Sequence, residues 1–222
     1  MYKHCYDENH SFFEFDSGQE IYNKKRRKGL YEKLLCRSCE DILKDYEDYA
    51  KSILYEGVKP YIYRNKTSFS TTEYDYKKFK LFVLSLLWRA SISSQDSFKL
   101  VSLGPYEEKL RIILFEQQEI SVNNFPSVIY QTYIGAKPAD GVFMAMYPSK
   151  AKFDRKTIYQ FVVDGLFFFI GVGFVSIRAF PNGSSVSPES LRIGWDDLTK
   201  IQSFVNLFAD IHKQGKFLVY EK

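Results

Sequence analysis

Residues 76–94 constrain the fold more than any other part of the chain, because large apolar residues occupy nearly every side of the helix they predict. The apolar members are Phe79, Leu81, Phe82, Val83, Leu84, Leu86, Leu87 and Trp88. A helix that is hydrophobic all round is usually central and buried. We therefore expect other elements to cover this helix, with Trp88 in the core and Arg89 in an ion pair.

Helical periodicity also precedes and follows this segment. From Cys39 onward, apolar residues recur at spacings of three and four, which predicts a helix that ends near Gly57, with Pro60 supporting the break. Gly104 and Pro105 precede a short predicted helix at residues 106–115. Apolar residues spaced along residues 198–211 predict a last helix, which begins at Asp196 and Asp197 and ends near residue 212.

The second half of the chain has the pattern of β-strands joined by Gly, Pro or Asp turns. Strands are predicted at residues 127–134, 142–147, 158–163, 166–171 and 174–180, with a closing strand at 217–220. Asp164-Gly165 predicts a hairpin turn between two of them. The sequence thus predicts an α+β fold with central helices, a C-terminal antiparallel sheet and a final helix.

Composition agrees with a strand-rich core. Of the 222 residues, 45% are hydrophobic and 18% are aromatic, a balance that favours strands and flat core side chains over an Ala-rich bundle. Residues 161–177 are strongly apolar, but Asp164 and three glycines interrupt them. The uninterrupted part is shorter than the roughly 20 residues of a spanning helix, so we expect buried sheet and no membrane association.

The chain has three cysteines, which cannot all pair with one another. It opens with Met1-Tyr2-Lys3-His4 and lacks the apolar stretch of a secretory signal, which predicts a cytoplasmic protein. In a reducing compartment, a C-x2-C pair is more often a metal knuckle or a redox pair than a structural disulfide.

Cys36 and Cys39 form such a pair, directly after two leucines and at the start of a predicted helix. This is the form of a zinc knuckle in a treble clef, since a tight turn presents two thiolates to the positive end of the helix. Structural zinc needs about four ligands. Cys5 with His4 completes a set of three thiolates and one imidazole, and His10 is the other histidine nearby. The alternative is two buried thiols without metal.

A basic run, Lys24-Lys25-Arg26-Arg27-Lys28, lies between these groups. The net charge of +4 is too modest to imply nucleic acid by itself. Five adjacent cations beside a metal-stabilised finger can contact phosphates, and the alternative interpretation of the run is a solvated loop.

The N-terminal segment resembles an abbreviated HNH endonuclease module. The resemblance lies in residues 8–13, in Asn23 within the basic run, in Gly29 and in residues 34–40. It implies a ββα element braced by zinc, with His10 as the general base, Asn23 orienting the loop and a later residue holding a catalytic cation. Glu40 stands where the family commonly carries Asn or His, so Glu40, Asp41 or Glu47 would supply an oxygen ligand for Mg²⁺ or Mn²⁺. The first knuckle is reduced to His4-Cys5.

Two functional hypotheses follow. The first is a nucleic-acid-binding protein. It would have an HNH-like finger with the following helix at residues 1–57 and an α+β domain of unknown ligand at residues 58–222. Such a protein would cleave nucleic acid if His10 acts as a base. The second is a non-catalytic accessory subunit, for example of a bacterial antiviral defence system, that contacts a protein through the sheet domain. Phosphate-cradling and hydrolase motifs are absent from the second half of the sequence.

Overall fold

The structure, a computed structural model, describes residues 12–16, 22–26, 32–134, 137–138, 145–153, 155–176, 180 and 184–197. The α-helices are α1 (Arg37–Lys51), α2 (Lys59–Asn65), α3 (Tyr76–Ile92) and α4 (Tyr106–Phe115). The strands are β1 (Phe12–Asp16), β2 (Tyr22–Arg26), β3 (Phe69–Thr71), β4 (Ser127–Ile134), β5 (Lys137–Pro138), β6 (Ala145–Phe153), β7 (Lys156–Val163), β8 (Leu166–Gly171), β9 (Ser185–Ser187) and β10 (Ser190–Asp197). Helices and a mixed sheet together confirm the α+β class.

Helix α3 is the centre of the helical layer. Asp75 caps it by accepting a hydrogen bond from the Lys78 backbone N–H at 2.9 Å. The ring of Phe82 meets that of Phe168 edge-on, with centroids 6.1 Å apart, which joins the helix to the sheet. Trp88 is 3% exposed, and Arg89 pairs with Glu47 of α1. The predicted buried helix, and the packing and charge-pairing roles of Trp88 and Arg89, are confirmed.

Helix α1 does not end near Gly57 as the sequence predicts. The helical path continues through a π-helical segment, Ser52–Val58, directly into α2. Pro60 lies in the first turn of α2, directly after the π-helical segment, and does not break the helix. The path ends instead at Lys66, whose backbone is left-handed (φ 51°). The division of the chain at residue 57 stays a prediction.

The described strands form one sheet in the order β2-β1-β6-β7-β8-β4-β10-β3, with β5 beside β4 and β9 beside β10. Most neighbours are antiparallel, but β1 runs parallel to β6 and β10 runs parallel to β4. The predicted C-terminal strands that pair with one another, β4 with β8, β6 with β7 and β7 with β8, are antiparallel as expected, and the parallel pairs involve β1 and β10, which were not among the predicted strands of that sheet. Each parallel pair joins strands that are distant in the chain, as crossover connections require.

Individual strands agree with the sequence pattern to different degrees. β4 and β8 have the predicted bounds, and Asp164-Gly165 turns between β7 and β8 with φ of 50° and 74°. The strand predicted at residues 142–147 overlaps β6, which extends to Phe153, and residues 142–144 lie outside the described residues. Phe174, predicted to begin a strand, makes only an isolated bridge with Asn124 and is 67% exposed.

No helix in the described part of the chain is long and apolar enough to cross a membrane. The apolar stretch that starts at residue 161 contains the end of β7 and all of β8, as the prediction of buried sheet requires. The predicted last helix beyond residue 197 and the closing strand at 217–220 lie outside the described residues.

Candidate functional site

The cysteine pair lies at the start of α1, as predicted. Cys36 is the N-cap residue, with an extended backbone, and the Glu40 N–H donates to its carbonyl at 3.0 Å to begin the helix. Cys36 is exposed, Cys39 is half-buried, and neither forms a disulfide. The Cys36 Sγ lies 3.2 Å from the Ser38 Oγ. Both thiols therefore sit at the positive end of the helix.

The two thiols differ in acidity. Hydrogen bonds from the Ser38 hydroxyl, then from the Cys39 backbone and thiol, lower the pKa of Cys36 to about 7. The hydrogen bond to Cys36, followed by burial, raises the pKa of Cys39. Near neutral pH, Cys36 is thus a partial thiolate beside a protonated thiol. A thiolate is both the metal-binding and the nucleophilic form of cysteine.

The β1–β2 hairpin precedes α1 and carries part of the basic run. Asn23 is the register partner of Phe15, Lys24 of Glu14, and Arg26 of Phe12. Asn23, Lys24, Lys25 and Arg26 thus belong to a strand at the edge of the sheet, so the interpretation as a loop is wrong for these positions. Arg27 and Lys28 lie outside the described residues.

Three further predicted site residues, His4, Cys5 and His10, lie outside the described residues. The zinc ligand set and the general base therefore stay predictions. Within the described ranges, no group of three or more His, Cys, Asp or Glu side chains could hold a metal ion. Those ranges contain only two of the four ligands predicted for zinc, Cys36 and Cys39.

The three carboxylates considered as cation ligands have different surroundings on α1. Glu40 is exposed in the first turn. Asp41 lies 3.3 Å from the Arg37 guanidinium, and Glu47 pairs with Arg89. The helix carries the acidic residues Glu40, Asp41, Asp45, Glu47 and Asp48 and the basic residues Arg37, Lys44 and Lys51. Helix α1 is therefore net acidic.

Glu32 fixes the segment before Cys36 to the C-terminal end of α3. Its carboxylate accepts hydrogen bonds from the Ser93 hydroxyl at 2.5 Å, and from the Ser94 N–H at 3.0 Å and hydroxyl at 2.5 Å. These bonds, the one from the Ser93 hydroxyl first, lower the pKa of Glu32. The sequence analysis missed this contact, because nothing in the local pattern at Glu32 indicates its distant serine partners.

A buried ion pair joins the start of α2 to the β7–β8 turn. The Lys59 Nζ lies 2.5 Å from Asp164 Oδ2 and 2.9 Å from the Asp164 carbonyl oxygen, and 4.5 Å from the centroid of the Tyr55 ring. Lys59 is 5% and Asp164 is 4% exposed. The pair was not predicted, although Asp164 in an apolar run indicated a buried carboxylate in need of a partner.

A second buried lysine lies on α3 beside a pocket. Lys80 is 1% exposed, and its Nζ donates to the Phe125 carbonyl at 2.5 Å and to Ser127 Oγ at 3.3 Å. Burial lowers the pKa of Lys80 to about 7. Lys80 is one of the residues that line a pocket of about 460 Å³. The sequence analysis missed this residue, although its place between Phe79 and Leu81 in a helix that is apolar nearly all round indicates burial.

The chain was compared with models of known protein families, with curated proteins and with solved structures. None of the three comparisons found a match. Functional inference therefore depends on the side chains that the fold brings together, above all the thiol pair at the start of α1.

Proposed function

We propose that this protein binds nucleic acid in the cytoplasm through an HNH-like N-terminal module that a structural zinc ion holds together. The observation that carries the proposal is the position of Cys36 and Cys39 side by side at the start of α1, after a hairpin whose second strand is basic. Two strands followed by a helix is the element order that the HNH resemblance implies.

The thiol pair has the chemistry of a zinc knuckle. Zinc binds cysteine as thiolate, and a lowered pKa makes the thiolate of Cys36 available at neutral pH. The positive end of α1 stabilises the negative charge on both sulfurs. Cys5 and His4 would complete the set of four ligands, because structural zinc sites are normally closed by protein side chains.

The charges near the module favour the hairpin over the helix as the nucleic-acid surface. Helix α1 is net acidic and would repel phosphates, whereas β2 carries Lys24, Lys25 and Arg26 at the edge of the sheet. Phosphate contacts supply most of the sequence-independent affinity for nucleic acid. The proposed interface is therefore β2 together with Arg27 and Lys28.

Cleavage would add a second step to the same module. In that version His10 removes a proton from water, Asn23 orients the loop, and Glu40 holds Mg²⁺ or Mn²⁺ beside the phosphate. The exposed position of Glu40 in the first turn of α1 leaves it accessible to such a cation.

One observation favours the accessory-subunit alternative. Strand β1 pairs with β6 at Glu14–Ala145 and Phe15–Met146, so the hairpin is continuous with the large sheet. A zinc ion would then brace this junction, and the sheet would present a surface to a protein partner. In this version the cysteine pair is needed for folding and His10 has no catalytic role.

A binding titration tests the proposal. Labelled single- and double-stranded DNA and RNA are titrated with the protein, and binding is followed by fluorescence anisotropy over a range of salt concentrations. Replacing Lys24, Lys25, Arg26, Arg27 and Lys28 by Ser should weaken binding, and the log–log salt slope should fall by about 0.9 for each lost duplex phosphate contact. A matched control replaces five exposed cations elsewhere by Ser: Lys99, Lys109, Lys152, Arg155 and Lys156.

The control variant should bind nearly as the native protein does. Equal weakening in both variants would show only an effect of total charge, and no binding at low salt would contradict the nucleic-acid function. A plasmid-nicking assay with Mg²⁺ or Mn²⁺ distinguishes the enzyme from the accessory subunit. Nicking that is lost in His10→Ala, while the zinc content is unchanged, would support the enzyme.

A further inference from the structure

Helix α2 and strand β3 together place an exposed aromatic ring at the edge of the sheet opposite β2. Tyr61 of α2 is 42% exposed, and its ring meets that of Phe69 edge-on, with centroids 5.4 Å apart. Phe69 begins β3, the last strand in the order that starts with β2. The contact with Phe69 holds the Tyr61 ring in place, while much of the ring stays open to solvent.

The charge around this ring is positive. Residues 57–72 contain no Asp or Glu. Arg64 lies three residues after Tyr61 in α2, so both lie on one side of the helix, and Lys66 follows as its C-cap. Arg64 and Lys66 are exposed, and no ion pair between described residues involves either of them. We call Tyr61, Arg64, Lys66 and Phe69 the α2–β3 surface.

The neighbouring strand continues the positive charge round the edge of the sheet. Arg192 of β10 is exposed and is the register partner of Ser70, on the opposite face of β3 from Phe69. The hydroxyls of Ser68 and Ser70 are exposed and can donate to phosphate oxygens. Cations and hydroxyl donors beside an open ring fit a polyanion that carries flat bases better than an apolar protein segment.

We infer that the α2–β3 surface contacts unpaired bases of single-stranded nucleic acid. The inference rests on the function proposed above and names the class of nucleic acid. Tyr61 stacks on a base whose face is free, whereas the bases of a duplex already stack on one another. Arg64 and Lys66 contact the phosphates next to the stacked base. Phosphate contacts at β2 do not depend on base pairing, so the preference for single strands comes from the α2–β3 surface.

Binding of labelled single-stranded and duplex oligonucleotides of equal length, about 16 nucleotides, to the full chain tests this inference. Tyr61→Leu keeps an apolar side chain beside Phe69 but removes the stacking ring. It should weaken single-strand binding by roughly 5- to 100-fold, as expected for one lost stacked base, and duplex binding by less than about twofold. Tyr61→Phe keeps a ring and should bind as the native protein does. The matched control is Phe174→Leu, at a 67% exposed ring outside this surface, which should bind both nucleic acids normally.

Two further measurements report on the contact itself. A single strand that carries 5-iodouracil should photocrosslink to Tyr61, as located by mass spectrometry. Replacing Arg64 and Lys66 by Gln should lower the log–log salt slope for single strands by about 0.7 for each lost phosphate contact.

The outcomes separate this inference from the proposed function. Single-strand binding that is unchanged in Tyr61→Leu, or weakened no more than duplex binding, would overturn the inference and assign the exposed ring to a protein partner. Loss of binding in the β2 variant would then still support the proposed function. Failure of the native protein to bind either nucleic acid would contradict both.

Discussion

Lys59 and Lys80 are both buried, but their partners differ. Lys59 meets the carboxylate of Asp164 and the Tyr55 ring, whereas Lys80 meets a backbone carbonyl and a hydroxyl. A carboxylate compensates a buried cation, while neutral acceptors do so only in part. The two lysines therefore affect stability in different ways.

For Lys80 we predict that wild-type stability rises with pH between about 7 and 10. Its folded pKa, about 7, is below the unfolded value of about 10.4, so the unfolded chain binds more protons in this window. The stabilisation that Lys80 contributes is complete above the pKa of lysine in the unfolded chain, and it is lost as the pH falls toward 7. Each pKa unit corresponds to about 1.4 kcal/mol, so this shift gives a total on the order of 5 kcal/mol.

Urea denaturation at pH 7 and pH 9 measures this effect. Lys80→Met should remove most of the pH dependence of the unfolding free energy, and Lys77→Met should leave it as in the native protein. Retention of the full pH dependence in Lys80→Met would assign it to other groups.

For the ion pair we predict that Lys59→Met and Asp164→Asn each destabilise the protein by about 3–5 kcal/mol, because each leaves a buried group without its partner. Asn tolerates the left-handed backbone at Asp164 (φ 50°), so the loss reports on charge more than on the turn. The double variant should lose much less than the sum of the two single losses. Thermal and urea unfolding of the four proteins completes this double-mutant cycle, and simple additivity would contradict the coupling.

At the scale of the element, the helical path through α1, the π-helical segment and α2 shows where local sequence signals are overridden. Gly57 and Pro60 are strong helix-ending signals, yet the path continues to Asn65. Pro60 directly follows the π-helical segment, and Lys59 next to it is bonded to a distant turn. The local sequence shows where Pro60 lies, but it carries no sign of the bond between Lys59 and the distant turn.

Gly57 provides an element-scale prediction. A Cβ added there would meet no atom within 4 Å, so Gly57→Ala should stabilise the helical path by up to about 1 kcal/mol, the usual difference in helix propensity. Gly194→Ala is the contrasting change, because its Cβ would lie 2.3 Å from the Tyr130 ring, and it should destabilise the protein. Urea midpoints measure both. A loss of stability in Gly57→Ala would show that the π-helical segment requires glycine.

The strands differ in how far the sequence could reveal them. β4 and β8 are continuous apolar runs bounded by turns, and both were predicted with their correct bounds. β10 was missed, although Leu191, Ile193 and Trp195 alternate with polar residues as in a strand with one buried face. β3 is only three residues long in a Ser/Thr-rich stretch, and its pairing with β10 defines it.

At the scale of the whole molecule, the candidate site could be predicted only where it is local. The Cys36–Cys39 pair at a helix start follows from four consecutive residues. The attachment of Glu32 to Ser93 and Ser94, and the burial of Lys80 against Phe125, depend on contacts between distant segments. Such contacts arise from tertiary packing, which periodicity and composition do not specify.

The zinc hypothesis gives a prediction at this scale. Cys36→Ala should lower the zinc content from about one per chain toward zero and unfold the N-terminal segment, as metal binding and folding are coupled in such modules. The rest of the molecule should stay folded, because Leu43 and Tyr46 of α1 belong to the main core and Glu32 holds the preceding segment. Elemental analysis and hydrogen exchange measure the two effects, with Ser68→Ala, at an exposed site in another segment, as the control that retains both thiols.

Unchanged zinc content in Cys36→Ala would remove the metal from the proposal. Global unfolding would instead show that the segment and the main core form one cooperative unit.

The parallel pairing of β1 with β6 has a consequence for the order in which the chain folds during synthesis. Glu14 and Phe15 pair with Ala145 and Met146, so the hairpin leaves the ribosome long before its partner strand exists. At translation rates of about 5–20 residues per second, the free edge of β1 waits several seconds for β6. Contacts between such distant residues also slow folding, since a long loop must close first. A metal ion bound early at the N-terminal segment would keep the hairpin formed, and its edge ready to pair, until β6 arrives.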